Sequence, residues 1–291
     1  MQDQDSSTAS PDIPHRHECI KCSYDVSGID PHGACPECNT PIISTCITCD
    51  YDLSGTAPEA PCPECGTPVS CSMGNSALGE VPTQRLKSVH TGFRLVTNGI
   101  LIYIVSVITT MILTFVIVNN PNLNYPFTAG AAIINNGLVF MIIAGWLKLS
   151  TPLEGLTPRL DAADKRSFTR VMLWIFAGTT ALTLIYGLIP SDPLQVTTVD
   201  IVFGIFSLLS LVVMLLVFIS NVMYMGWFAR LVRNRKMARR SKHFVWYGPL
   251  IAIVGMPIFF IGPLITLVLY WNQIEYVRRD LKKVIQARQD A

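Results

Sequence analysis

Five stretches of the chain contain no Asp, Glu, Lys, Arg or His: Leu95–Val118, Phe127–Leu147, Val171–Ile189, Ile201–Trp227 and Phe244–Ile274. Each reaches or exceeds the roughly 17–25 residues that a helix needs to cross the hydrocarbon of a bilayer. The pattern predicts an α-helical polytopic membrane protein. Its bundle would occupy residues 92–277, with spans near 95–118, 127–147, 171–189, 201–227 and 244–274. Residues 1–72 follow a different pattern, being polar, acidic and rich in cysteine.

Lys and Arg are unevenly divided among the connections, and this sets the expected orientation. The loops Val118–Phe127 and Pro190–Asp200 hold none, whereas Lys148–Arg170 and Arg230–Lys242 are strongly basic. Basic loops stay on the cytoplasmic side, which places the N-terminus there too. Arg85, Lys87 and Arg94 before the first span agree.

The fifth stretch conflicts with the tail that follows it. Five crossings would put residues 278–291 outside, yet this segment carries Arg278, Arg279, Lys282, Lys283 and Arg288. Ile274, Val277, Leu281, Val284 and Ile285 recur there at helical spacing, so a basic amphipathic C-terminal helix on an anionic cytoplasmic surface is expected. Two readings remain for Phe244–Ile274: one kinked helix, or a hairpin broken at Gly262-Pro263, where glycine closes one helix and proline opens the next.

The cysteines carry the clearest chemistry. Cys19-x-x-Cys22 is followed after twelve residues by Cys35-x-x-Cys38, and Cys46-x-x-Cys49 after the same twelve by Cys62-x-x-Cys65. Residues 19–45 and 46–72 match at 14 of 27 positions, which makes them two copies of one unit. Two C-x-x-C turns supply the four thiolates of a tetrahedral zinc site, so two structural zinc ions are expected. In Cys35-Pro36-Glu37-Cys38-Asn39 and Cys62-Pro63-Glu64-Cys65-Gly66 a proline presets the turn, and Asn or Gly follows it, the residues that most readily enter the left-handed region.

Other uses of these cysteines fit less well. A disulfide framework belongs to secreted proteins, and residues 1–18, expected as a disordered acidic tail, do not resemble a signal peptide. An iron site of the rubredoxin type also ends in C-P-x-C-G, but twelve residues between the pairs leave too little chain for its aromatic core. His15, His17 and His32 are not repeated in the second copy, and Cys71 lies outside the pattern. A unit of 27 residues buries too little apolar surface to fold alone, so metal must supply much of its folding free energy.

The tandem resembles the double zinc ribbon, in repeats reading C-x-x-C-G-Y-D-L…C-P-E-C-G at the N-terminus of bacterial membrane proteins of uncharacterised function. The matching residues are Tyr24, Asp25, Val26, Ser27 and Gly28, then Tyr51, Asp52, Leu53, Ser54 and Gly55, while Ser23 and Asp50 stand where the pattern has glycine. The resemblance covers residues 19–72 and implies a small β-rich head on the cytoplasmic face of a bacterial inner membrane. The Tyr-Asp pairs are read as a ring over the metal site and a carboxylate capping the Ser-Gly turn. Small and polar residues over 73–91 read as a flexible tether.

Charge then narrows the partners. Residues 1–72 hold eleven acids and two bases, and each zinc with four thiolates adds further negative charge, so no nucleic acid partner is expected. The rest of the chain is basic, and Arg230–Lys242 and Arg278–Lys283 are expected to meet anionic lipid headgroups. The acidic head can also dock on these basic segments.

No H-E-x-x-H, G-x-S-x-G or Walker-type loop occurs, no catalytic residue is assigned, and every cysteine lies before residue 72. Asn135 and Asn136 are the most concentrated polar pair in the spans, and Gly130, Ala131, Gly137 and Gly145 are expected as close-packing positions between helices. These features point to a membrane-anchored, non-enzymatic adapter or scaffold whose cytosolic zinc-binding head recognises a protein. The competing reading makes the bundle a small-molecule channel, transporter or membrane enzyme regulated by the ribbons.

Overall fold

The computed structural model describes residues 22, 24–25, 29, 35–38, 45–53, 56–57, 59–72, 78, 81–117, 121–156, 160–189, 198–232, 234–255 and 261–289. Cys19, the acidic tail, the three N-terminal histidines and most of the first repeat lie outside them. The chain divides into two units, Met1–Gly79 and Glu80–Ala291.

The second unit holds six helices: α1 (Thr83–Ile117), α2 (Pro121–Leu149), α3 (Ala163–Gly187), α4 (Thr198–Leu231), α5 (Arg235–Val254) and α6 (Ile261–Gln289). Each packs against the next, and α6 returns to α1, closing a ring. Neighbours run antiparallel. Ser106 meets Asn135 and Gly99 meets Ile142 across α1 and α2, while Thr169 meets Ser220 and Tyr186 stacks on Phe203 across α3 and α4.

Four helices, Thr83–Ile117, Tyr125–Leu149, Ala163–Gly187 and Ile201–Leu231, are long and apolar enough to cross a membrane. Their outward positions, such as Val105, Ile112 and Phe115 on α1 and Ile205, Leu208 and Val212 on α4, are exposed and apolar, as a lipid-facing surface requires.

Buried residues gather at one end of the ring. This base is made by the start of α1 (Leu86, Val89, Phe93, Val96), the end of α2 (Trp146, Leu149), the end of α4 (Tyr224, Met225, Phe228), the start of α5 (Met237, Phe244) and the end of α6 (Ile274, Val277, Leu281). Side chains there tie helix ends together through backbone carbonyls. Trp271 Nε1 donates to Thr97 O, Tyr224 Oη to Leu149 O, Trp227 Nε1 to Leu160 O and Arg288 Nη1 to Val81 O, at 2.7–3.1 Å.

Three expectations change. Residues 83–91, read as tether, form the first turns of α1, because Leu86, Val89, Phe93 and Val96 make a fully buried stripe at helical spacing that the polar composition masked. The basic segment Arg230–Lys242 is mainly the end of α4 and the start of α5, with Asn234 capping α5 through its side chain on Met237 N at 3.0 Å. The basic C-terminal helix is no separate element, since α6 runs unbroken to Gln289.

The last apolar stretch is a hairpin, but its break precedes Gly262-Pro263. Helix α5 ends at Val254, Gly262 N donates to Gly255 O at 3.2 Å, and Pro263 falls in the first turn of α6, where its missing N–H costs nothing. A Cβ on either Gly255 or Gly262 would collide with the other strand of the hairpin's backbone, so only glycine permits this closure. Thr266 Oγ1 donates to Gly248 O and Asn234 Nδ2 to Asp280 Oδ2, keeping the two helices in register to their ends.

Candidate metal centre

The second repeat folds as two copies of one turn. After Cys46, the Asp50 N–H donates back to Cys46 O and the Cys46 N–H donates to Tyr51 O, at 3.1 and 2.7 Å. After Cys62, the Gly66 N–H donates to Cys62 O and the Cys62 N–H to Thr67 O, both at 2.8 Å. Antiparallel bridges then flank each turn at equivalent places, Thr45 with Asp52 and Pro61 with Pro68. These bridges, with a further bridge residue at Asp25 in the first repeat, are the β structure among the described residues of this unit.

Both turns end on a left-handed residue, Asp50 at φ 63° and Gly66 at φ 67°. Asp50 occupies the place that the ribbon pattern gives to glycine. A short polar side chain enters this region at lower cost than most, which is why the substitution leaves the turn intact.

The turns converge. The thiol sulfurs of Cys46, Cys49, Cys62 and Cys65 all lie within 4.8 Å of one another, with Cys46 and Cys65 at 3.5 Å and Cys49 and Cys62 at 3.6 Å. Zn–S bonds of about 2.3 Å in a tetrahedron give sulfur edges of about 3.8 Å, so the donor set fits a zinc-sized ion. No described cysteine is in a disulfide. In the first repeat Cys22, Cys35 and Cys38 form the equivalent cluster, Cys22 and Cys35 at 3.5 Å. The predicted fourth member, Cys19, lies outside the described residues.

Beneath the second cluster, Cys46, Leu53, Cys62 and Val69 form the buried core. Behind it a short 3₁₀ turn, Val69–Ser72, folds back so that Ser72 Oγ accepts from Ile47 N at 3.0 Å. Four side chains, two of them cluster cysteines, are too small a core to hold a unit of this size, and an ion held by the four sulfurs would supply the missing order.

Electrostatics of the sulfurs favours a cation. Burial raises Cys46, and burial together with hydrogen bonds shared among the other three thiols pushes Cys49 up to about 12. Burial also opposes ionisation of Cys65, but hydrogen bonds to Thr67, from its side chain and backbone, and to Cys46 and Cys49 outweigh it and bring Cys65 down to about 6. In the thiol form Cys65 Sγ donates to Thr67 Oγ1 at 3.2 Å and Thr67 donates to Thr48 Oγ1 at 3.1 Å, so ionisation of Cys65 requires the Thr67 hydroxyl to turn its one proton from Thr48 to the sulfur. One thiol therefore ionises readily, and a divalent ion is what lets the others follow.

The cysteine spacing predicted this convergence, but the Thr48–Thr67 support and the Ser72 contact had no sequence signal beyond the repeat. Tyr24 and Tyr51, read as covers for the metal sites, are 40% and 39% exposed, the same value at equivalent positions. Cys71 lies outside both clusters.

Elsewhere, Asn135 accepts from Ser106 Oγ across α1 and α2, whereas Asn136 donates to Ala132 O within its own helix, each at 2.8 Å. Of the four small residues expected at close approaches, Gly145 is one, its Cβ direction blocked by Val96 and the Gly92 carbonyl, whereas Gly130 and Gly137 meet nothing within 4 Å. The sequence did not single out a buried polar group at the base. Trp146, Asn221 and Tyr270 meet there, the Tyr270 hydroxyl facing the Asn221 side chain and the Trp146 N–H outside ideal hydrogen-bond geometry, and Gln273 is buried one helical turn from Tyr270. No protein-family model, curated protein or solved structure matches the chain.

Proposed function

We propose that this is an integral membrane protein of the bacterial cytoplasmic membrane whose N-terminal unit is a double zinc ribbon facing the cytoplasm. The head recognises a protein partner, and the helical ring anchors it. The observation that carries this reading is the closed four-sulfur shell. Four thiolates saturate a tetrahedral ion and leave no position for a substrate, so the zinc is structural and the head is a binding module.

The exposed faces of Tyr24 and Tyr51 supply the kind of surface a protein partner buries, and the acidic surroundings disfavour nucleic acid. All described Lys and Arg residues of the ring lie at its base, which supports a cytoplasmic base.

Crosslinking in cells tests the reading, comparing the intact chain with one carrying Cys38→Ser and Cys65→Ser. Partners retained only by the intact head support it. Identical partners from both chains, equally abundant and inserted, overturn it.

The buried polar cluster of Trp146, Asn221 and Tyr270 at the base favours a second reading, in which the ring handles a small polar molecule and the ribbons regulate it. Loss of function in Asn221→Leu with the head intact, and no loss on deleting the head, would establish that reading instead.

A further inference from the structure

Helices α5 and α6 each bury one face in the ring and turn the other outward, and the outward faces share one gradient. On α5 the exposed positions run from Lys236, Arg239 and Arg240 through Trp246 and Tyr247 to Leu250, Ile253 and Val254. On α6, which runs the opposite way, they go from Ile261, Ile265 and Val268 through Tyr276 to Arg279, Lys282 and Lys283. The register set by Asn234 with Asp280 and Gly248 with Thr266 lays the apolar end of α5 (Leu250, Ile253) beside that of α6 (Leu264, Ile261), Trp246 level with Val268, and the first turn of α5 level with Arg279. The hairpin thus has a basic foot and an apolar tip, with exposed aromatic residues where the two meet on α5 (Trp246, 81% exposed) and within the foot on α6 (Tyr276).

Length decides what this can be. The charge-free part of α5, Phe244–Val254, rises about 15 Å, and that of α6, Ile261–Ile274, about 20 Å. A hydrocarbon core is about 30 Å thick, so the arms reach about half and two thirds of the way and neither spans it. By contrast Leu95–Ile117 of α1 rises about 33 Å. Tyr and Trp prefer the level of the headgroups, and Lys and Arg the anionic surface beyond it.

We infer that the α5–α6 hairpin is re-entrant: it dips into one leaflet, turns within the hydrocarbon and leaves by the same face, with its foot on anionic phospholipid headgroups. The chain then crosses the membrane four times, and both ends of the ring unit lie on one side, which removes the charge conflict of an odd number of crossings. Charge complementarity selects the lipid. Residues 235–242 hold five bases and no acid, and 275–288 hold five bases against two acids.

Two measurements on the full-length protein test this. Val254→Cys and Ile261→Cys at the tip, and Lys236→Cys and Gln286→Cys at the foot, are exposed to a membrane-impermeant maleimide from either side of sealed vesicles. Labelling is read on the peptide carrying each new cysteine, so the native thiols do not interfere. The foot should label from one side only and the tip from neither. A tip that labels from the side opposite the foot means two full crossings and overturns the inference. A tip that labels from the foot's side means a hairpin in water and also overturns it.

For the lipid, the protein is extracted from vesicles mixing phosphatidylglycerol with phosphatidylcholine, and retained lipids are counted by native mass spectrometry. Replacing Lys236, Arg239, Arg240, Arg279, Lys282 and Lys283 by Gln should cut the preference for phosphatidylglycerol roughly tenfold or more. Unchanged preference overturns the lipid assignment. So does an unchanged preference accompanied by loss of crosslinks between the foot and residues 1–79, which would make the acidic head the occupant.

Discussion

Gly66→Ala is the most direct probe of the metal turn. At φ 67° an alanine Cβ meets the following carbonyl, at a cost of roughly 1–2 kcal/mol. Folding of this unit is coupled to metal, so the strain appears as weakened zinc binding. Since each 1.4 kcal/mol is tenfold, the apparent affinity should fall about five- to thirtyfold. Asp50 is the internal control. Asp50→Gly removes the Cβ but frees the unfolded chain, two effects of about 0.5–1 kcal/mol each that oppose one another, so affinity should stay within about threefold. Asp50→Val places a β-branched residue at the same positive φ and should resemble or exceed Gly66→Ala. Zinc competition with a chromophoric chelator on the purified full-length chain measures all three. Equal affinity for the native chain, Gly66→Ala and Asp50→Val would refute the view that both turns close through a left-handed residue.

Three further outcomes follow from the ring and the head. Gly145→Leu drives side-chain atoms toward Val96 and the Gly92 carbonyl, 2.7 and 3.1 Å from its Cβ position, and should lower thermal stability by about 1–3 kcal/mol, whereas Gly137→Leu, with open space around it, should be neutral in the same detergent melt. Glu275, its side chain 10% exposed, is desolvated by burial, yet hydrogen bonds and charge from Arg278 and Arg279 prevail and hold its carboxyl below the ordinary 4.5. The stability it contributes is complete above pH 4.5 and disappears as pH falls through the lower folded value, so an acid melt of Glu275→Gln should lack this component. Chelation of zinc should abolish the protection of backbone amides in Cys46–Ser72 from hydrogen exchange while leaving helical circular dichroism unchanged.

Much of the architecture was legible because its causes are local or periodic. Charge-free runs of sufficient length locate α1 to α4, and paired C-x-x-C turns locate the sulfur clusters, since both depend on residue type at fixed spacing. The hairpin was harder. Its break falls between Val254 and Ile261, and Gly255, Pro257, Gly262 and Pro263 all lie in or beside it, so the sequence does not say which of them turns the chain. What decides it is the contact between Gly255 and Gly262, a property of two helices together. The early start of α1 was hidden for a related reason. Leu86, Val89 and Phe93 need a partner surface to count as core, and α6, which supplies part of it, lies far along the chain. Thr67 and Thr48 likewise find each other only once the two turns converge.

The closure of the ring by its first and last helices also governs the order of assembly. Arg288 reaches the Val81 carbonyl across 207 residues, and Trp271 reaches Thr97 across 174. At synthesis rates of about 5–20 residues per second, α1 waits roughly 10–40 s for the helix that covers its buried stripe. During that interval Leu86, Val89, Phe93 and Val96 form an open seam available to chaperones, proteases or a second nascent chain. A chain cut short before α6 keeps the seam permanently, even though all four helices long and apolar enough to cross a membrane are already made.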